Sequence, residues 1–509
     1  MFTPQPRRGK NNMHVHLAGF NVDTQLVDLI RQIIDEHSHG TPGSKRITEL
    51  LQKLAEEPIT PETLSAAYAR ISRSSKGIRE LRRDARASVN RARRSNETIV
   101  FELGHSSIAE HAVFNLDITG ASRLVLEALE AHRLASYTEA SQRYIPMSGD
   151  FFVPDEILKT GLEWEFSEVC QAQFKCYADL IEILTKFHSE IPESERDVKA
   201  REDARYVLPL ACRGQVGVTI NARTAEQMVR SFNQSHLSEV RLMGSQIHEE
   251  VRSIVPSLIR YVEADSGIDL ADREMARSAY DLIPVIEINS TAEVELISSP
   301  TDGESIALAS ILFQSGKYSF SQAKRAVDKL SHIETQQLIA NSHTYLHSFD
   351  SVRRDLELGS FTFSITLSAS AFAQLKRHRI ASLITQDYDV ELGCTEPPNI
   401  KDANGSVLFN EAMNRATEMY KKLIEKLKPK ETAAASYVLT NAHRRRVIFQ
   451  ANARELTHFS RLREDEYAQW DIRNIAHKMI ELARDACPGL MQFACGKDQF
   501  AERKQQLFS

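Results

Sequence analysis

Cysteine is scarce and scattered in this chain of 509 residues: Cys170, Cys176, Cys212, Cys394, Cys487 and Cys495, with no CxxC pair. That spacing excludes a disulfide framework, a zinc ribbon and a thioredoxin-type dithiol. Glycine (20) and proline (16) are sparse, so few breakers interrupt the long helical patterns. No apolar run nears the roughly 20 residues that cross a bilayer. The start, MFTPQPRRGKNNMHV, has basic residues but no apolar core, so no secretory signal is expected. No GxGxxG occurs, which argues against a Rossmann site for a dinucleotide. Positive charge is not in excess either: Lys+Arg 63 against Asp+Glu 69 gives -6. That balance disfavours nucleic-acid backbone binding but leaves room for a local basic pocket. A cytoplasmic, multi-domain protein without a membrane segment is what these absences leave.

Helical periodicity covers residues 23–38, 64–96, 122–135, 161–190, 224–254, 304–347, 409–428 and 454–486. Shorter alternating stretches predict strands: MHVHLAGF at 13–20, AVFNLDIT at 112–119, GVTINA at 217–222, AEVELIS at 292–298, SFTFSITLS at 360–368 and RVIFQANA at 446–453. Many helices with a few separated strands predict an α+β class. Residues 264–291 interrupt the pattern, and we take them as the linker between domains at 10–263 and 292–505.

Internal repetition decides the architecture. AHRLAS at 131–136 returns as RHRIAS at 377–382, TINAR at 219–223 as QANAR at 450–454, and MHVHL at 13–17 resembles AEVEL at 292–296. The offset shrinks from 279 (Val15 to Val294) to 246 (His132 to His378) to 231 (Asn221 to Asn452), as loop deletions would produce. Three matches in the same order imply a tandem duplication.

The first copy carries GHSSIAEH (104–111), HRLASYTEASQRY (132–144) and ARYVLP (204–209). The second carries QLKRHRIAS (374–382) and NARELTHFSRLREDEYAQWDIR (452–473). Together they resemble the flavin-dependent thymidylate synthases, whose signature reads RHRxxSxNExSxRY, with GHxSxxEH before it and NxRxLxxFxxLRxxxxAQWEIR after it. The resemblance implies two tandem copies of that family's fold, helices packed on a small antiparallel sheet.

Neither copy is intact, and their losses are complementary. The first keeps Glu139, Ser141 and Arg143, where the second has Thr385, Asp387 and Asp389; it also keeps Arg205 opposite Ser436. The second keeps Gln374, Arg377 and Arg463 against Ala128, Ala131 and Phe232. The resemblance therefore implies one composite site for dUMP, with the reciprocal combination dead, and a homodimer that imitates the family's tetramer. Arg143 and Arg205 are expected at the nucleotide phosphate, since guanidinium forks match its oxygens; Ser141 and nearby backbone N–H groups join them there, and Glu139 is expected elsewhere on dUMP. Gln374 and Arg377, at i and i+3, are expected on one helical face. Arg463 is expected to polarise a uracil carbonyl as charge builds up there.

The resemblance also implies FAD as cofactor, with NADPH and methylenetetrahydrofolate as co-substrates and no metal. Position by position, the flavin contacts fall on His105 and Ser107, on Arg377, His378 and Arg379, and on Asn452, Arg454 and His458; the first copy's Asn221, Arg223 and Gln227 are the alternative to the last three, of which the second copy's are favoured. Blander readings stand beside these. His105, Glu110 and His111 lack the helical spacing and third ligand of a zinc site. RHR at 377–379 and HRRR at 443–446 would suit nucleic-acid phosphates, Arg463 could pair with Glu464, Asp465 or Glu466, and Trp470 suits core packing. The rival to an enzyme is a non-catalytic flavin- or nucleotide-binding descendant of the same fold.

Overall fold

A computed structural model describes residues 13–39, 45–56, 59–283 and 292–508. It contains two four-stranded antiparallel sheets. The first is β1 (His14–Phe20), β2 (Val113–Ser122), β3 (Ser136–Glu139) and β4 (Arg213–Asn221), in the order β1-β2-β4-β3. The second is β5 (Val294–Ser298), β6 (Ser360–Ser368), β7 (Ser382–Thr385) and β8 (Arg444–Asn452), in the order β5-β6-β8-β7. Register repeats with topology: Ser136 lies opposite Thr219 as Ser382 lies opposite Gln450, and Ser122 opposite Arg213 as Ser368 opposite Arg444. These pairs carry the offsets 246 and 231 of the sequence repeat. The α+β duplication is therefore a property of the fold.

Alternation explains the strands. Phe361, Phe363, Ile365 and Leu367 point to one face and are buried, as are Phe114, Leu116 and Ile118 in the first sheet. Helices cover that face, among them Ala222–Gln234 and Ser238–Ile254 in the first half and Ala453–Arg463 and Trp470–Ala486 in the second.

Several expected helices are shorter than their patterns. Residues 64–96 divide into Glu62–Ala69, Ile78–Ala87 and Val89–Glu97, with breaks at Gly77 and Ser88. The pattern at 122–135 yields a helix of only eight residues, Arg123–Glu130, so His132 and Arg133 follow it in a turn. The presumed linker contains a helix, Ser266–Leu282, started by the Asp265 side chain accepting from Gly267 N–H at 2.9 Å. Residues 284–291 lie outside the described residues.

The halves pair face to face within one chain, about a pseudo-twofold axis. Leu210 N–H donates to the Leu439 carbonyl (2.7 Å) and Asn441 N–H to the Leu208 carbonyl (3.0 Å). Ala211 N–H bonds Tyr437 O and Ala442 N–H bonds Tyr206 O in the same mirrored way. Glu239 accepts from Ser122 Oγ (2.7 Å) in its own half and from Tyr437 Oη (2.8 Å) in the other. Asp471 repeats the arrangement with Ser368 Oγ (2.5 Å) and Tyr206 Oη (2.9 Å). Each buried carboxylate thus bolts its sibling's tyrosine, and these groups are satisfied only while the halves stay joined.

Candidate active site

In the first half, β3 ends at Glu139 and the chain turns sharply. Tyr144 and Ile145 N–H donate to the Ser141 carbonyl, and Arg143 N–H donates to Ser141 Oγ at 3.2 Å. Such serine turns fix the backbone locally, which fixes where Arg143 begins. Its Nε lies 2.5 Å from Glu202 Oε2. Arg205 follows the helix Glu193–Ala204 and donates Nε–H back to the Glu202 carbonyl at 3.1 Å. Arg205 is buried, and its Nη2 has no partner. Burial pushes its pKa down, and the cations Arg143 and Arg123 add to that. A buried guanidinium beside two others calls for an anion.

In the second half, Gln374 lies in the helix Ala369–Leu375. Arg377 does not share that helix. The helix ends at Leu375, His378 N–H bonds the Leu375 carbonyl (3.2 Å), and Arg377 leaves on the following turn. The expected i, i+3 face is thus replaced by a helix end and its exit turn. Arg463 ignores its acidic neighbours: Nε donates to His378 Nε2 (3.1 Å) and Nη2 to the Gln374 carbonyl (3.2 Å). Because Nε2 accepts, the network assigns the His378 proton to Nδ1, which faces Glu455 Oε1 at 3.2 Å. Burial, reinforced by the Arg377 cation, pushes the Arg463 guanidinium down to about 10.

Of the two sets, Glu139 of the first half and Arg377 of the second meet at the boundary between halves, whereas Ser141, Arg143, Arg205, Gln374 and Arg463 do not line the cavity they share. Glu139, Thr138 and Ser136 line a cavity of about 400 Å³ together with Lys376, Arg377 and Arg379. Burial pushes the Glu139 carboxyl up, but Arg123, Lys376 and Arg377 outweigh it and hold its pKa below the ordinary value. Arg123 forms a buried ion pair with Glu139. Arg379, expected at the flavin, donates to the Ala135 carbonyl at 2.5 Å, and its counterpart Arg133 donates to the Ala381 carbonyl at 2.7 Å. Asn441 of the second half ties down the first half's nucleotide segment, donating to Arg205 O (2.8 Å) and Gln142 Oε1 (3.0 Å).

Comparison with known proteins fits this geometry. The thymidylate synthase complementing protein family matches residues 53–257 and again 295–489. A flavin-dependent thymidylate synthase of Clostridium tetani is 32% identical over 215 residues, 41% of this chain and 85% of that protein. The chain belongs to the flavin-dependent thymidylate synthase family. Two similar proteins match across both halves at 25% identity. One is the UPF0159 protein Ta1429 of Thermoplasma acidophilum (77% of this chain, 86% of that protein). The other is a UPF0159 protein of Chlamydia muridarum (84% and 88%).

Set against that family's signature, the reciprocal site is filled with side chains. Gln142 has Tyr388 as its counterpart and Gly214 has Arg445, by the offsets above. Tyr388 Oη donates to Glu127 Oε1 at 2.8 Å, and Arg445 Nη1 to Glu127 Oε2 at 3.0 Å. The Arg445 guanidinium lies 4.4 Å from the Tyr388 ring and 4.8 Å from that of Phe372. All three polar residues of this plug are buried. In the first half, Gly214 leaves open a cavity of about 260 Å³ bounded by Arg123, Glu139 and Gln142. A Cβ at 214 would stand 3.1 Å from Leu126.

The expected flavin residues fall in two places within one chain. His105 and Ser107 are exposed beside the first half's own helix, where Arg223 pairs with Glu110 at 2.6 Å. Asn452, Arg454 and His458 line a groove of about 450 Å³ made of second-half residues alone. There Arg454 pairs with Glu357 at 2.7 Å, the image of Arg223 and Glu110. The Asn452 side chain caps its helix, its Oδ1 accepting from Glu455 N–H at 2.8 Å. Arg461 in the same groove has two buried nitrogens without partners, so the groove fits a cofactor that carries a pyrophosphate. Among the described residues no cluster of His, Cys, Asp and Glu could hold a metal, and no helix is long and apolar enough to cross a membrane.

Sequence reading missed Arg123, Glu202 and Lys376. Glu202 stands three residues before Arg205, a spacing that was available as a signal. Arg123 is matched by Ala369 and so belongs to the same pattern of one-sided retention.

Proposed function

We propose that this chain makes dTMP from dUMP at one composite site per chain, with methylenetetrahydrofolate as one-carbon donor, and that it works as a homodimer with two such sites. The observation that supports the reading is that Glu139, kept by the first half, and Arg377, kept by the second, line one cavity inside one chain. Arg143 and Arg205 take the nucleotide phosphate, with Ser141 and its turn presenting hydrogen-bond donors. Neutralising that phosphate removes the penalty on Arg205, whose Nη2 is buried without a partner.

Gln374 and Arg377 hold the pyrimidine from the opposite side, and Glu139 stays ionised between the halves to position them. Arg463, fixed by His378 and the Gln374 carbonyl, presents its remaining N–H groups to a uracil carbonyl. Its charge is desolvated, so it acts strongly on negative charge that develops there. Asn452, Arg454 and His458 would hold FAD in the second-half groove, with Arg377, His378 and Arg379 nearby, and His105 and Ser107 would hold it at the equivalent place of the first half; when bound, it would supply hydride drawn from NADPH. No cysteine nucleophile is needed: burial pushes the Cys212 and Cys394 thiols up to about 12, which keeps them protonated.

Tritium release from 5-tritiated dUMP, dependent on both NADPH and methylenetetrahydrofolate, tests the reading. Release without either co-substrate, or none with both, overturns it. The second reading, a non-catalytic flavin- or nucleotide-binding descendant, is favoured by the loss of signature residues from both copies. It predicts binding of FAD or dUMP without tritium release.

A further inference from the structure

Arg461 is unused in the reaction proposed above, yet its surroundings are those of an anion site. It belongs to the helix Ala453–Arg463, lines the second-half groove and is only 8% exposed. Its Nη1 donates to the Asp350 carbonyl, and the Phe500 ring lies 5.0 Å from the guanidinium carbon. Nε and Nη2 are buried without partners, and among the described residues Arg461 forms no ion pair with a carboxylate. Burial pushes its pKa down. A guanidinium withdrawn from water and left without an anion is strongly unfavourable, so its retention points to a ligand that supplies one.

The two halves differ at this place in the same direction twice. Arg230, the counterpart of Arg461, is turned outward and pairs with Asp265 at 3.2 Å. Arg354 stands where the first half has Ser107, and it lines the same groove beside Glu357 at 3.2 Å. Arg454 and His458 line the groove beside it; Glu357, which Arg354 and Arg454 share, and Glu455 stand in the same wall, so Arg461 is, among the described residues, the guanidinium there without a carboxylate. The second-half groove has therefore gained one guanidinium, Arg354, where the first half has a hydroxyl, and it holds Arg461 buried where the first half's Arg230 pairs at the surface. Several guanidiniums around about 450 Å³ suit a group with charge on neighbouring oxygens, and bidentate pairing makes a phosphoanhydride a better match than a carboxylate.

We propose that Arg461 anchors the pyrophosphate of a dinucleotide bound in the second-half groove, with Arg354 and Arg454 neutralising the remaining charge. This rests on the reading of that groove as part of a flavin-dependent site. The pyrophosphate has two sources with the same chemistry, FAD and NADPH, and binding separates them.

Flavin-free full-length protein and its Arg461→Met variant are titrated with FAD, riboflavin and NADPH by fluorescence. We expect wild type to bind one dinucleotide much more tightly than the variant does, by roughly tenfold or more. Riboflavin, which lacks phosphate, binds both proteins alike. Loss confined to FAD names the flavin as occupant, and loss confined to NADPH names the nicotinamide dinucleotide; either supports the anchor. Equal affinity of both dinucleotides for the two proteins overturns it.

If wild type binds neither dinucleotide, the flavin reading of the groove fails by itself, and inorganic pyrophosphate then tests the anchor. Thermal stabilisation of wild type but not of the variant supports it, and equal or absent stabilisation refutes it. The ligand-free variant separates anchor from strut. Removing an uncompensated buried charge beside Phe500 should raise the ligand-free melting temperature, whereas a merely structural Arg461 would lower it on removal.

Discussion

Glu130 and Lys376 hold the same position in their respective halves, yet they face each other across the boundary as a buried ion pair 2.8 Å apart. In a symmetric dimer one residue would meet its own copy there. Fusion into one chain allows opposite charges to meet instead. Both side chains are almost fully buried, so removing one strands the other. Lys376→Met should destabilise the protein by about 3–5 kcal/mol, and the double change Glu130→Leu with Lys376→Met should restore most of that. Chemical denaturation of the two variants checks it.

Residues from different halves should fail alike in catalysis. Arg143→Ala and Arg463→Ala are each expected to cut dTMP formation by at least about a hundredfold, the scale of losing a positioned charge at a reacting centre. Substantial turnover in either variant would refute the site assignment. Melting temperatures near wild type are needed alongside.

Asp389, in the vacated half, holds a loop position that is Arg143 in the working half. It accepts from Glu391 N–H at 2.9 Å and lies 3.6 Å from Arg446. Asp389→Ala should leave turnover nearly unchanged. Calorimetric titration with dUMP should give one nucleotide per chain, and a ratio of two would show that the Tyr388–Glu127–Arg445 plug opens.

The interface should respond to pH through Glu239. Burial pushes its carboxyl from 4.5 up to about 7. Between those values the folded protein holds a proton that the unfolded chain has released, so stability from this group is complete below about pH 4.5 and declines as pH rises to about 7. The decline is worth up to about 3 kcal/mol. Glu239→Gln, which cannot ionise, should flatten it. Denaturation midpoints at pH 5, 6, 7 and 8 measure the difference, and parallel curves for the two proteins would contradict it.

Much of this was legible in the sequence because strong periodicity survives duplication. The alternation of Phe361, Phe363, Ile365 and Leu367 announces a strand with one buried face, and HR followed by NAR locates the repeat. β3 and β7 were not legible: SYTE and SLIT are too short to show a period, and only pairing with β4 and β8 makes them strands. The helix end before Arg377 was hidden as well, since QLKRHR has good helix formers throughout and no glycine or proline marks the stop. Among the candidate site residues, the two complementary sets could be read by comparing copies. Arg123 beside Glu139, and Lys376 beside Glu130, could not, because tertiary packing alone brings them together.

The plug in the second half also sets a direction on descent. Tyr388, Glu127 and Arg445 satisfy one another, so deleting any one leaves an orphan hydroxyl or charge in the interior. Reopening that pocket takes several coordinated substitutions, because removing one partner alone strands the buried groups it satisfied. Once those three side chains had interlocked, the closed pocket became a ratchet.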